Sequence, residues 1–235
     1  MTDISEAFTN AFQLIISADK NLVEIILLSL KVNLIAIFIS CVIGLSIGAL
    51  LAVYKFKGRT LCLITLSALM GLPPVVVGLI VYIFLSNSGP LGILGLLYTP
   101  TAMIIAQSIL ITPIIAALTR QTLEVMHNEY YEQLKSLGVS KLAMAKTLLW
   151  DGRYQLITVV LAGFGRALAE VGAVMIVGGN INHLTRIMTT AIALETSKGN
   201  LSLALGLGII LIILSFIVNG LVYAINLTAE RQAYA

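Results

Sequence analysis

Arg166 and Glu170 stand four residues apart inside an otherwise apolar run, Leu156 to Val177. A charge at the centre of a bilayer costs at least about 2.5–3.5 kcal/mol on insertion scales, so such a residue needs a partner or a polar path. Four-residue spacing predicts a shared helix face. Two readings stay open. Either the pair neutralises itself and holds helices together, or Arg166 faces a pathway and attracts an anion while Glu170 tempers its affinity. Gly178-Gly179-Asn180 ends the same run. A glycine pair there offers backbone N–H groups to an anion, or it caps the helix and turns the chain. Pro73-Pro74 removes two backbone donors inside another apolar run, which predicts a kink or break. That break is either packed by neighbours or lines a substrate path, as discontinuous helices do in transporters.

The sequence shows no catalytic constellation beside these residues. It has no G-x-x-x-x-G-K-[ST] loop to cradle phosphates. It has no H-E-x-x-H and no His or Cys pair at metal-ligand spacing. His127 and His183 stand alone and read as surface loop residues, and Cys41 and Cys62 read as small buried hydrophobes. No catalytic residue, metal, cofactor or nucleic-acid partner is expected. The function is expected to be transport, anchoring or signalling.

The elements that must position these residues follow from composition. The chain has 235 residues, 59% hydrophobic and 11% charged, with a mean hydropathy of +1.02. Soluble domains carry about 25% charged residues, so a water-soluble enzyme and a disordered chain are both excluded. Long unbroken apolar runs exclude an alternating transmembrane β-barrel. An all-α, polytopic transmembrane helix bundle is expected, with spans of roughly 20 apolar residues. Five runs fit: 22–54, 61–86, 96–118, 156–177 and 201–228. Residues 1–21 are expected to form an extracytoplasmic segment with a short amphipathic helix around Ala7, Phe8, Ala11 and Phe12. No secretory signal is expected, because the first nineteen residues carry Asp3, Glu6 and Asp19 but no Lys or Arg. Gly44 and Gly48 form a G-x-x-x-G that predicts a close helix contact.

The positive charges orient this arrangement. With five spans, Lys55, Lys57, Arg59, Arg120, Lys135, Lys141, Lys146, Arg153 and Arg231 share one side, against Lys20, Arg186 and Lys198 with Lys31 near that edge. The positive-inside rule then puts the N-terminus outside and the C-terminus, with a tail over 229–235, in the cytoplasm. Between Arg59 and Arg120 lie 60 residues without Asp, Glu, Lys or Arg, and all five prolines fall there. The one long polar segment is 119–155. Leu134 and Leu137 follow Tyr130 at helical spacing, Gly138 stops that helix, and a second helix is expected over Lys141–Trp150 with Leu142, Ala145, Leu148 and Leu149 on one face. The segment reads as an interfacial helix pair or as a docking knob for a soluble partner.

That loop resembles the EAA loop of ABC-importer permeases. Glu132-Gln133-Leu134 stands at E-A-A, Gly138 at its glycine and Leu148-Leu149-Trp150-Asp151 at its I-x-L-P, with the two alanines and the proline absent. Gly165 to Asn180 is similar to the R-A-x-x-E-x-G-A-x-x-x-x-G-G-N segment of permeases for sulfate, molybdate and tungstate. Leu72-Pro73-Pro74-Val75-Val76-Val77-Gly78 resembles the L-P-P-x-V-x-G segment of the same group, and Arg186 to Thr196 looks most like the tungstate branch. The resemblance covers about residues 22 to 228.

What it implies is a type I ABC importer permease, a homodimeric multi-pass protein of the cell membrane. A dimer of separate cytoplasmic ABC ATPase subunits would hold the two loops through Glu132, Gln133, Leu134, Gly138 and Leu148. An extracytoplasmic binding protein would deliver an oxyanion, tungstate before molybdate or sulfate. Pro73, Pro74, Arg166, Glu170, Gly178, Gly179 and Asn180 would be candidates for the translocation pathway. The alternative of a different class is an ion-coupled transporter or channel. Such proteins usually show more intramembrane acids or internal repeats.

Overall fold

The computed structural model describes residues 4–233, with side chains from 5 to 224. Asp3 and the last two residues of the expected tail lie outside the described residues, as does the side chain of Arg231. The described chain is helical: α1 Ile4–Ile16, α2 Lys20–Val53, α3 Arg59–Met70, α4 Pro74–Leu85, α5 Pro100–Ser136, α6 Lys141–Asp151, α7 Arg153–Leu168, α8 Gly172–Gly178, α9 Met188–Ser197 and α10 Leu201–Ala233. A single 3-10 turn covers Gly92–Leu94. Three helices, α2, α5 and α10, are long and apolar enough to cross a membrane. The count rises to five if the bent pairs α3–α4 and α7–α8 are each one span.

The Pro73-Pro74 break appears where the sequence predicts it. Pro73 is extended (φ −62°, ψ 124°) and Pro74 takes the first position of α4, because a residue before proline is pushed out of the α region and N1 has no intrahelical bond to lose. The chain bends by 98° between α3 and α4. The expected amphipathic helix near the N-terminus is α1, with Ala7 and Ala11 buried and Phe8 and Phe12 exposed.

Six expectations are corrected. The fourth run is not one helix: α7 ends at Leu168, α8 starts at Gly172, and the chain bends by 59° between them. Arg166 and Glu170 therefore do not share a continuous helical face, since Glu170 lies in the break. The expected helix end at residue 118 is absent too. Residues 119–136 contain no Gly or Pro, so α5 propagates from its apolar half into its polar half as one 37-residue helix. His127 is consequently a buried helix residue, 4% exposed, rather than a surface loop residue. On α6 the buried residues are Met144, Ala145 and Leu148, while Leu142 is exposed. Cys62 is also exposed rather than buried.

The chain divides into two compact units. The first comprises the chain up to Ala36, Pro73–Gln107 and Ala167–Ile217. Its core includes Val32, Val77, Met103, Val174, Val177, Met188 and Leu207. Within it, α4 and α8 touch backbone to backbone: a Cβ on Gly78 would lie 2.8 Å from Ala173 Cα. The second comprises Ile37–Leu72, Ser108–Arg166 and the chain from Val218. Its core includes Ile111, Ile115, Leu123 and Leu148. There the G-x-x-x-G of α2 lies against α5, as the spacing predicts. Cβ atoms on Gly44 and Gly48 would fall 2.9 Å from Ile115 and 2.6 Å from the Ala116 carbonyl oxygen.

Candidate functional site

In the first unit the two helix breaks come together. A Cβ on Gly172 would lie 2.8 Å from Val75 Cγ2, 3.6 Å from the Val75 amide nitrogen and 3.7 Å from Glu170 Oε1. The start of α4, fixed by Pro73 and Pro74, and the start of α8, led by Glu170, are therefore neighbours. Glu170 is 3% exposed. Its Oε1 accepts the Ala173 amide at 3.1 Å, giving α8 an acceptor for one of its unpaired N-terminal donors.

Other backbone groups around this break also find partners. The Glu170 amide donates to the Ala167 carbonyl at 3.2 Å. That carbonyl also accepts Nε2 of the buried Gln107 at 3.4 Å, while the same Nε2 donates to Asn33 Oδ1 at 3.0 Å. The Glu170 carbonyl accepts Thr189 Oγ1 at 2.7 Å. Irregular backbone inside a membrane protein persists only where protein or a polar cavity satisfies it, and here protein supplies these partners. Gln107 Oε1 is buried without a hydrogen-bond partner.

Gly178-Gly179-Asn180 adopts the cap-and-turn arrangement. Gly179 is left-handed (φ 69°), and its amide donates to the Met175 carbonyl at 3.0 Å. A Cβ there would sit 2.8 Å from the Tyr98 ring. Thr185 Oγ1 donates to the Gly178 carbonyl at 2.5 Å and accepts the Ile181 amide at 2.9 Å. Asn180 Nδ2 donates to the Thr190 carbonyl at 3.0 Å, and its Oδ1 is buried without a partner. The segment from Arg186 to Thr196, which the sequence singles out by resemblance alone, thus brings Thr189 to the Glu170 break and Thr190 to Asn180.

Nearby in the same unit is a cluster that sequence reasoning missed. Glu195, 5% exposed, accepts from Lys198 Nζ at 3.1 Å and Asn200 Nδ2 at 3.0 Å. Arg186 Nη1 lies 3.9 Å from it. Burial pushes the Glu195 carboxyl up, but hydrogen bonds from Lys198 and Asn200 and the charges of Lys198 and Arg186 outweigh burial and hold it below its usual value. His183 Nδ1 meets Glu24 Oε2 at 2.7 Å across 159 residues of sequence, a separation no local pattern signals.

The second unit holds Arg166, exposed in the last turn of α7, and the helix–Gly–helix element. Glu132 and Gln133 are exposed on the last turns of α5, and Leu134 is half-buried. Gly138 is left-handed (φ 71°), and the Val139 amide donates to the Leu134 carbonyl at 3.1 Å, closing the end of α5. Ser140 then caps α6 by accepting the Ala143 amide at 3.3 Å. Leu148 is fully buried. A Cβ on Gly152 would lie 3.1 Å from Leu123 Cδ2 and Met126 Sδ on α5. The root of the element is therefore packed, whereas Leu137 at its tip is 76% exposed. Glu124, another residue the sequence reading passed over, binds Arg59 and Arg120 at 2.7 Å each and ties α3 to α5.

Comparison with known proteins fits a transport role for this geometry. Residues 44–229 match the family described as binding-protein-dependent transport system inner membrane component. The chain belongs to this family. It is accordingly a multi-pass transport permease of the cell membrane, and relatives in the family are transport subunits rather than enzymes. It is 40% identical to the tungstate uptake system permease protein TupB of Peptoclostridium acidaminophilum, over 96% of this chain and 99% of that one. It is 37% identical to the TupB of Campylobacter jejuni, over 96% of this chain and 94% of that one. A probable anion ABC transporter permease protein of Haloferax volcanii is 38% identical over 85% of this chain and 88% of its own.

Proposed function

We propose that this chain is the membrane-spanning subunit of an ATP-driven importer that carries tungstate into the cytoplasm. The observation that carries the reading is the near full-length similarity to two permeases named for tungstate uptake. In this reading five spans cross the membrane, with the α3–α4 and α7–α8 pairs each counted as one. The N-terminus lies outside, and the C-terminus and the 119–155 element lie in the cytoplasm. Two copies of the chain form the pathway. A dimer of separate ATPase subunits grips the element through Glu132, Gln133, Leu134, Gly138 and Leu148, and an extracytoplasmic binding protein supplies the anion.

The packed root and exposed tip of the α5–α6 element support a docking role, because a knob that passes on motion must move as one body. The adjoining breaks at Pro73-Pro74 and Glu170 support a pathway role, since backbone that departs from the helix at membrane depth recurs at transporter binding sites. Arg166 supplies attraction for a dianion. Glu170 tempers that affinity so that the anion is not trapped, and Gly178, Gly179 and Asn180 hold the far end of α8.

The test is tungstate uptake in cells carrying the whole system, with molybdate and sulfate as competitors. ATP-dependent uptake and co-purification of an ATPase are expected. Uptake that survives ATP depletion, with no ATPase retained, would reject the importer reading. Replacing Arg166 by Gln is expected to cut uptake at least tenfold, and unchanged uptake in a normally assembled protein removes Arg166 from the pathway.

A further inference from the structure

The second unit carries a groove that the transport reading leaves unused. It runs between α2 and α7, with a volume of about 590 Å³, within the roughly 300–1,000 Å³ of small-molecule sites. Val42 and Leu45 form one wall, and Ile157, Val160 and Leu161 form the other. Val42 is 58% exposed and Ile157 40%, so the groove is open along α2, which is long and apolar enough to cross a membrane, and α7, which the proposed reading counts in one span with α8. Its one charged lining residue is Arg153, the first residue of α7.

The mouth of the groove has the chemistry of a membrane–water interface. The Arg153 guanidinium lies over the rings of Trp150, at 5.2 Å, and Tyr154, at 4.7 Å. Its Nη1 donates to the Trp150 carbonyl at 2.9 Å. Arg153 is exposed and Trp150 is 70% exposed, so several of its five N–H donors stay open to a ligand. Tryptophan and tyrosine favour headgroup depth, and arginine binds phosphate through its planar fork. From Arg153 to Leu161 the α7 rise is about 12 Å, close to the ~15 Å hydrocarbon depth of one leaflet.

We propose that this groove binds an anionic phospholipid. Its phosphate sits on Arg153 between the two aromatic rings, and one acyl chain lies along α2 and α7. The charge selects the occupant: a neutral apolar partner leaves the guanidinium unanswered, whereas an anionic lipid satisfies both ends of the groove.

Trp150 is the only tryptophan in the chain, so its fluorescence reports on this site alone. The full-length protein is reconstituted in vesicles containing either brominated phosphatidylglycerol or brominated phosphatidylcholine at equal mole fraction. Phosphatidylglycerol is expected to quench with about five-fold higher apparent affinity, the factor matching about 1 kcal/mol for a basic residue at an anionic surface. The preference is expected to vanish in Arg153→Gln and to persist in Arg153→Lys. Leu45→Phe fills the groove without touching the charge and should also lower the preference, which keeps the test open if Arg153→Gln fails to fold. Equal quenching by both lipids would overturn the proposal, as would a preference that survives Arg153→Gln. Absence of quenching by either lipid means that protein, such as a second copy of the chain, covers the groove, and it overturns the proposal as well. None of these readouts depends on which anion is transported or on which side the groove's mouth lies.

Discussion

The two units handle polarity differently. In the first, polar groups are buried and tied to broken backbone: Asn33 with Gln107, Glu170 with Ala173 and Thr189, and Asn180 with Thr190. Both buried acids among the described residues, Glu170 and Glu195, lie there. In the second, long helices approach through small residues such as Gly44 and Gly48. Its Arg59–Glu124–Arg120 cluster is half-buried, with side chains 21–30% exposed. The difference separates two demands on a transport subunit. A region of interrupted helices needs internal hydrogen bonds to hold its shape. In the proposed reading, the second unit presents a knob to a soluble partner, which needs close packing beneath and charge at the rim.

The sharpest way to break this contrast is to widen the close contact in the second unit. Gly48→Leu places a side chain where even a Cβ lies 2.6 Å from the Ala116 carbonyl oxygen and Thr119 Cβ. It should lose about 1–3 kcal/mol or more, read as a fall in melting temperature or in yield of folded protein. Gly220→Leu, with nothing within 4 Å, should be tolerated. Next comes Glu170→Ala, which leaves the Ala173 amide without its acceptor and should cost about 1–3 kcal/mol. Glu170→Gln keeps an acceptor and should recover most of that stability in the same melt. If both variants melt alike, the carboxylate holds the break by charge and not by its hydrogen bond.

Glu124→Gln should matter less, about 0–1 kcal/mol, because partly exposed ion pairs are screened. Its effect should shrink further at high salt, whereas that of Glu170→Ala should not. The smallest effect is expected from pH at Glu195. Its carboxyl is held below the ordinary value of 4.5, so its contribution is complete above that value and declines as pH falls through the lower folded value. A Glu195→Gln protein should lack that acid-side loss in a pH series of melting temperatures. An unchanged acid limb would remove Glu195 from the set of groups that stabilise the first unit.

The features legible in the sequence are those with a local cause. Pro73-Pro74 breaks a helix because proline lacks a donor. Gly138 ends one because it tolerates the left-handed region. Gly44 and Gly48 mark a close contact because they lack side chains. The break at 169–171 has no such signature, since Arg-Ala-Leu-Ala-Glu is good helix sequence, and the features seen there are long-range bonds from Gln107 and Thr189 together with the capping carboxylate. Helix α9 has no such signature either, because Met188–Ser197 is short and does not sort its polar and apolar residues onto separate faces. The extension of α5 was hidden by the change from apolar to polar residues at Thr119, which marks a change of surroundings and not of backbone. The buried place of His127 is hidden by the same change.

The charge-free stretch from Thr60 to Thr119 has a consequence for biosynthesis. It encodes α3, the Pro73-Pro74 break, α4 and the first half of α5, yet it contains no Lys or Arg to mark which end stays in the cytoplasm. Orientation signals sit only at its borders, in Lys55, Lys57 and Arg59 before it and Arg120 after it. By the positive-inside rule, the direction in which this stretch inserts is then decided by its flanks. The bend within it carries no topological address of its own.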